Sequence, residues 1–270
     1  MVVFGNKTNY WLIGIAVALI TIHISLSHEL GSDFLNFGFL FWVITIVLIW
    51  QKRDKLFWQS NIISAAVGFT ILAFVLYRSL NLFPQDYFLQ ISPLLSLLGW
   101  GLLASGFRGL KQYDRAFLVL AFLAIPWELA YMFDVAQITA QFSGFILWLS
   151  GFTVSRQGVW LILPTGSVEV YNGCSGVRAI AQLLGICWII LNIVPTNRRQ
   201  KILLPAIAIA IGFVINGVRV ALMAILVALS DSQSFDYWHV GTGSLIFSAI
   251  AVLVFIAVSA KTINMELAKL

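Results

Sequence analysis

Ile202-Leu-Leu-Pro-Ala-Ile-Ala-Ile-Ala-Ile-Gly-Phe-Val-Ile-Asn216-Gly-Val-Arg219-Val-Ala-Leu-Met-Ala-Ile-Leu-Val-Ala-Leu229 is the stretch that decides how this chain folds. It stays apolar for longer than the roughly 20 residues a helix needs to cross a bilayer. Only Asn216 and Arg219 interrupt it with strong polarity. A charge inside a membrane helix costs roughly 2.5–3.5 kcal/mol on insertion scales. Such a residue is normally paired or turned to a wet cavity, and it marks a functional site. The rest of the chain is written for the same solvent. Its 270 residues are 60% hydrophobic and 10% charged, with mean hydropathy +0.95, where a soluble domain carries about 25% charge.

These properties predict an all-α polytopic membrane protein with about eight transmembrane helices, near 10–27, 35–50, 60–78, 88–107, 116–133, 175–194, 202–229 and 240–260. The whole of 1–270 reads as one integral membrane domain. Within it, 1–134 supplies N-terminal helices, 135–173 an external interfacial helix and hairpin, and 174–260 the motif-bearing helices. The first apolar stretch, Tyr10 to Ile24, lacks a small-residue cleavage site and reads as a retained span.

The net charge of +5 does not indicate nucleic acid, because basic residues first set membrane orientation. Lys7, Lys52, Arg53, Lys55, Arg108, Lys111, Arg115, Arg198, Arg199, Lys201, Lys261 and Lys269 fall on one side. That is 12 of 16, and it makes that side, with both termini, cytoplasmic. Glu29, Asp33, Asp86, Glu128, Asp134, Glu169, Asp231 and Asp236 fall on the other. This pattern needs an even number of spans. The less apolar segment 135–155 is therefore expected to lie at the outer interface or to re-enter, rather than to span.

Residues 156–173 change character. Gly158-Val-Trp-Leu-Ile-Leu and Ser167-Val-Glu-Val-Tyr are rich in β-branched and aromatic residues, and Pro164-Thr-Gly lies between them. This predicts a short external β-hairpin directly before Cys174. It is either a plain connection or a strand edge able to capture an extended peptide.

Three reactive residues follow in successive spans. In Asn172-Gly-Cys-Ser-Gly-Val-Arg178, Cys174 or Ser175 is expected to open a helix, whose positive end would face the sulphur. Arg178 would lie one turn along the same face. Arg219 lies about 26 Å along its helix from Ile202, well towards the outer face. Asn216 and Gly217 are expected to loosen that helix so the guanidinium reaches an outer cavity and stabilises an oxyanion. His239, in Tyr237-Trp-His-Val-Gly-Thr-Gly, is expected to open the final span as an acid–base group. Gly241 and Gly243 would permit close approach of helices or substrate, and Asp231 or Asp236 would orient the imidazole. Cysteine with histidine is the minimal set for thiol catalysis. Cys187, thirteen residues from Cys174 and so roughly 20 Å away on a helix, is out of disulfide reach and reads as a small hydrophobe. His23 and His28 receive no role. No metal or cofactor is expected.

These motifs, Asn-Gly-Cys-Ser-Gly-Val-Arg, then Asn-Gly-Val-Arg, then Trp-His, resemble the exosortase/archaeosortase family. Within it they match the exosortase branch, in which the third position is histidine, and the length is similar to that of the compact cyanobacterial type. The resemblance implies a membrane-embedded cysteine transpeptidase or protease. Its substrates would be exported proteins whose C-terminal tail bears a Pro-Glu-Pro-type motif, a transmembrane helix and a basic cluster. It also implies Cys174 as nucleophile, Arg219 as stabilising arginine and His239 as acid–base. Arg178, Asn216 and Gly241 are expected near the substrate. Two other readings fit the buried charges: a transporter of small anionic solutes, and a membrane acyltransferase using the same Cys–His pair. The lack of an inverted repeat argues against transport.

Overall fold

A computed structural model describes residues 2–3, 10–29, 38–83, 86–126 and 135–267, with backbone alone for 2, 3 and 265–267. Lys7, Asp33, Glu128, Asp134 and Lys269, which carry part of the expected charge pattern, lie outside the described residues. So do the start of the expected span at 35–50 and the end of that at 116–133. The chain is mostly helical, and its contacts group into two units, Met1–Pro126 and Trp127–Leu270.

The first unit holds helices α1 (Tyr10–Glu29), α2 (Gly38–Gln51), α3 (Ile62–Ser79), α4 (Phe88–Gly109) and α5 (Asp114–Ala121). Two-residue strands β1 (Val2–Val3) and β2 (Gln59–Ser60) pair antiparallel. Helices α3 and α4 touch backbone to backbone. A Cβ on Gly68 would sit 2.7 Å from the Gly99 carbonyl oxygen, and one on Gly99 would sit 2.6 Å from Leu72 Cδ2. Small residues at the contact are how helices pack tightly where lipid removes the hydrophobic drive to associate. Trp100 Nε1 donates to the Leu12 carbonyl at 2.9 Å, tying α4 to α1. The expected span at 116–133 is not one continuous helix. Helix α5 stops at Ala121, and residues 122–125 turn through i→i+3 bonds into Pro126. Proline has no N–H to give and pushes the residue before it out of the helical region.

Five described helices are long and apolar enough to cross a membrane: Tyr10–Glu29, Ile62–Ser79, the run Phe88–Ala121, Arg198–Ala228 and Gly243–Asn264. Gly38–Gln51, Val135–Leu149 and Val177–Ile193 are apolar but shorter. At 1.5 Å per residue the shorter three fall below the roughly 30 Å of the hydrocarbon. Length and composition therefore support five of the eight expected spans among the described residues. Side chains such as Ile13, Phe69 and Leu253 stand exposed on these helices. Apolar surface on every side of a long helix is the signature of a lipid-facing element, and the chain is a multi-pass membrane protein.

The second unit is built on one long helix. Helix α6 (Val135–Leu149) leads to strands β3 (Ser155–Gln157), β4 (Trp160–Leu163) and β5 (Gly166–Glu169). A 3₁₀ turn (Asn172–Cys174) follows, then α7 (Val177–Ile193), α8 (Arg198–Ala228), α9 (Ser232–His239) and α10 (Gly243–Leu267). The strands form an antiparallel meander in the order β3-β4-β5. Helix α8 begins at Arg198, earlier than its apolar run, because Asn197 and Gln200 form a capping box. Each side chain there accepts from the other's backbone N–H at 2.9 Å, which satisfies amides a helix start leaves open. The first half of α8 packs Leu204 and Ala208 with Leu183, Cys187 and Phe255. Its second half packs Val220, Ala221 and Ala224 with Ala140, Leu147, Leu161 and Val170. One helix thus joins an all-helical core to the core beneath the sheet.

Candidate active site

Cys174 sits on a turn held from three sides. Its N–H donates to the Tyr171 carbonyl at 2.9 Å, and Ser175 N–H donates to the Asn172 carbonyl at 3.2 Å, closing the 3₁₀ turn. Gly176 then takes a left-handed conformation (φ +94°) and α7 begins at Val177. The sequence expectation that Cys174 or Ser175 opens the helix is thus corrected. The left-handed glycine places the thiol ahead of α7, and Arg178 is not one helical turn from it on a shared face. The carbonyl of Cys174 accepts from Asn216 Nδ2 of α8 at 2.8 Å. That of Ser175 accepts from Thr139 Oγ1 of α6 at 2.7 Å. These bonds satisfy carbonyls that would be costly to leave unpaired next to an apolar core.

Gly176 has no room to change. A Cβ there would lie 2.9 Å from Asn216 Nδ2, and the backbone is in a region L-residues avoid. Gly176→Ala is expected to destabilise the protein by about 1–3 kcal/mol, read as a lower melting temperature in detergent. An unchanged melting curve would show that the turn relaxes without cost.

His239 reaches the same place from the other side. It is the last residue of α9, not the first of the final span, because Asp231 starts a separate short helix by accepting from Ser234 N–H at 3.0 Å. The Cys174 Sγ and His239 Nε2 are 3.5 Å apart. Arg219 Nη2 donates to the main-chain carbonyl of His239 at 2.6 Å. A cation at the C-terminal end of α9 meets the negative pole of that helix, so Arg219 holds the segment that carries the imidazole. Its Nε is buried without a partner among the described residues. The His239 imidazole lies against Phe235, ring centres 4.9 Å apart. Partial burial holds its pKa below the usual 6.5, the nearby Arg219 charge lowers it further, and Asp236 opposes both. It is therefore neutral at pH 7 and able to accept a proton.

A cavity of about 280 Å³ opens beside this pair. Strand β5 lines it together with Val220, Met223 and Val227 from one face of α8 and Phe235 of α9. Tyr171 lines it too, a residue the sequence reading passed over although it stands three positions before Cys174. Its phenol is held above its ordinary pKa chiefly by its hydrogen bond with Cys174 and then by partial burial, against the pull of Arg178 and Arg219.

Arg178, Asn216 and Gly241, expected near the substrate, are placed as follows. Asn216 is buried and its amide is committed to the Cys174 carbonyl. Gly241 donates its N–H to the Asp236 carbonyl at 3.0 Å, and a Cβ there would lie 2.7 Å from the Tyr237 carbonyl oxygen. It closes α9 and lies against that helix. Arg178 is exposed at the start of α7. The expectation that Asn216 and Gly217 loosen α8 is also corrected, since the helix runs unbroken from Arg198 to Ala228. Gly217 instead lets the Phe142 ring lie against the α8 backbone, and Ser143 Oγ donates to its carbonyl at 2.9 Å. Of the two aspartates, Asp231 is the cap of α9 and Asp236 acts on His239 through its charge.

No curated protein and no solved structure matches the chain significantly. The family model described as transmembrane exosortase (Exosortase_EpsH) matches residues 29–256. That match takes in the Cys174 turn, all of α8 and α9, and the greater part of α10, and on it the chain belongs to the transmembrane exosortase family.

Proposed function

We propose that this protein is a cysteine transpeptidase or peptidase that cleaves the C-terminal sorting signal of exported proteins through a thioester. The observation that carries the reading is the Cys174 thiol 3.5 Å from a neutral His239 imidazole, at the wall of a cavity. Thiol and base within reach of each other are the minimal apparatus for acyl transfer. In the first step His239 Nε2 takes the Cys174 proton while Sγ bonds to the scissile carbonyl carbon. Collapse of that adduct breaks the C–N bond, and the proton passes from Nε2 to the leaving amine. An amine or water then attacks the thioester carbonyl and gives its proton to His239 Nε2; the C–S bond breaks, and that proton passes to Sγ to restore the thiol. Arg219 positions His239 and lends positive charge to the developing oxyanion. The substrate tail, with its motif, transmembrane helix and basic cluster, lies among the helices in the bilayer. The enzyme sits in the cytoplasmic membrane with both termini inside and Cys174 on the outer face, supported by the basic loops around Lys52, Arg108 and Arg198.

The test combines labelling with trapping. Intact cells treated with a membrane-impermeant maleimide should label Cys174, with the label lost in Cys174→Ala and kept in Cys187→Ala. Co-expression with an exported reporter bearing such a tail should yield a hydroxylamine-sensitive adduct that Cys174→Ala abolishes. Labelling only after permeabilisation overturns the orientation. Reporter processing that persists in Cys174→Ala overturns the mechanism.

A further inference from the structure

Five consecutive residues, Ser167 to Tyr171, line the cavity beside Cys174. A strand that walls a cavity with one face contributes every second residue, because successive side chains point to opposite faces. Consecutive lining residues mean that the cavity runs along the edge of β5. Among the described residues the sheet order leaves that edge open, since β4 is central and β5 pairs there with β4 alone. The register says which groups are free. Val170 N–H donates to the Val159 carbonyl at 3.0 Å, and Leu161 stands opposite Val168 and Leu163 opposite Gly166. Hydrogen-bonded pairs alternate along an antiparallel ladder. Gly166, Val168 and Val170 therefore spend their backbone groups on β4, while Ser167 and Glu169 turn theirs outward to the cavity.

The α8 side chains that also line the cavity give those groups nothing to bond. Val220, Met223 and Val227 present only an apolar stripe. At its start β5 meets α8 directly, with Gly166 against Val227 and Thr165 Oγ1 donating to the Ala228 carbonyl at 2.6 Å. From there β5 runs directly into Tyr171 and the Cys174 turn. Ser167 to Tyr171 covers roughly 13 Å at 3.3 Å per residue, the length of about four residues of extended peptide. An open strand edge is a liability that proteins usually blunt. Here it faces a slot that ends at a nucleophile.

We propose that the substrate binds as an added fourth strand on the free edge of β5, its main chain hydrogen-bonded to Ser167 and Glu169 and its scissile carbonyl delivered to Cys174. The inference rests on the peptide-processing reading above and adds to it the conformation of the substrate and the groups that hold it. Main-chain bonds supply the affinity, and the apolar stripe of α8 selects the side chains that face it.

Two measurements on the full-length enzyme in detergent test this, using a synthetic tail peptide with its transmembrane helix. In the first, single amides flanking the cleaved bond are replaced in turn by esters, which deletes one main-chain donor and keeps every side chain. Strand pairing predicts a loss in kcat/KM at every second position, about five- to tenfold each, with little change between. A loss without that alternation, or none, overturns the proposal. In the second, Ser167→Pro and Glu169→Pro remove an edge N–H that no other described residue uses, a change edge strands tolerate, while Ser167→Ala and Glu169→Ala report on the side chains alone. Each proline variant should raise KM about tenfold beyond its alanine counterpart, with Cys174 still labelled by a small maleimide at the wild-type rate. Equal KM for proline and alanine overturns the proposal. Should the proline variants lose that labelling through misfolding, the ester scan decides. A tail that the wild-type enzyme does not cleave at all overturns the functional reading, and this one with it. A tail that is cleaved but insensitive to main-chain changes overturns this one alone.

Discussion

Cys174→Ala is expected to abolish tail processing, on the order of 10⁴-fold or more, the scale seen when the nucleophile of a covalent mechanism is removed. Ser167 and Tyr171 also bring hydroxyls to the cavity, but Cys174 is the group whose reacting atom lies within hydrogen-bond reach of the imidazole. The loss should be chemical rather than structural. The bond from Asn216 goes to the backbone carbonyl of residue 174, which alanine keeps, so the turn and the melting temperature should stay close to wild type. Cys187→Ala provides the contrast. That thiol is buried among Leu183, Leu204 and Phe255, so its loss should lower stability by leaving a small cavity while processing continues. Reporter cleavage and thermal melting, measured on both variants, separate the outcomes. Equal loss of activity in the two variants would mean that folding, not thiol chemistry, is being read.

His239→Gln is expected to lower kcat about 10²- to 10⁴-fold, the usual contribution of a positioned acid–base group. Glutamine preserves a polar side chain and the backbone carbonyl that Arg219 holds, so KM should move little. The wild-type pH profile carries a second signature. The imidazole accepts the thiol proton only when neutral, and its pKa is lowered from 6.5 by burial and by Arg219. Activity should therefore hold from neutral pH down to below 6.5 and fall as the imidazole is protonated. Asp236 opposes that lowering, so Asp236→Asn should move the acid limb to lower pH. A limb that stays in place in Asp236→Asn, or that persists in the residual activity of His239→Gln, would assign the titration to another group.

Much of the second unit could be read one residue at a time. The turn before Cys174 follows from Asn172-Gly173, and the run of β-branched residues at 158–170 carries strand preference wherever it is placed. The capping box at Asn197 and Gln200 was present in the sequence, yet the apolar run alone put the helix start at Ile202. Composition and local pattern reach this far because membrane solvation and helix hydrogen bonding are satisfied within a segment. They failed for the 116–133 span, where Pro126 outweighs apolar character. They also failed for His239, where the Asp231 cap makes a separate helix out of what hydropathy reads as the approach to the last span.

What the sequence by itself determined is the solvent and the inventory: a chain built for a bilayer, with Cys174, Arg219 and His239 spaced along its last three apolar stretches. The tertiary structure alone decided what each of them touches. Asn216 became the donor that holds the Cys174 carbonyl. Arg219 became the clamp on the His239 carbonyl, Tyr171 joined the thiol, and β5 came to line one cavity with α8 and Cys174. The physical reason is that these are bonds to main-chain carbonyls and to a strand edge, groups every residue carries alike. No side-chain pattern announces which of them will be left open, and only the packing of α6, the sheet and α9 around α8 selects the ones that are used.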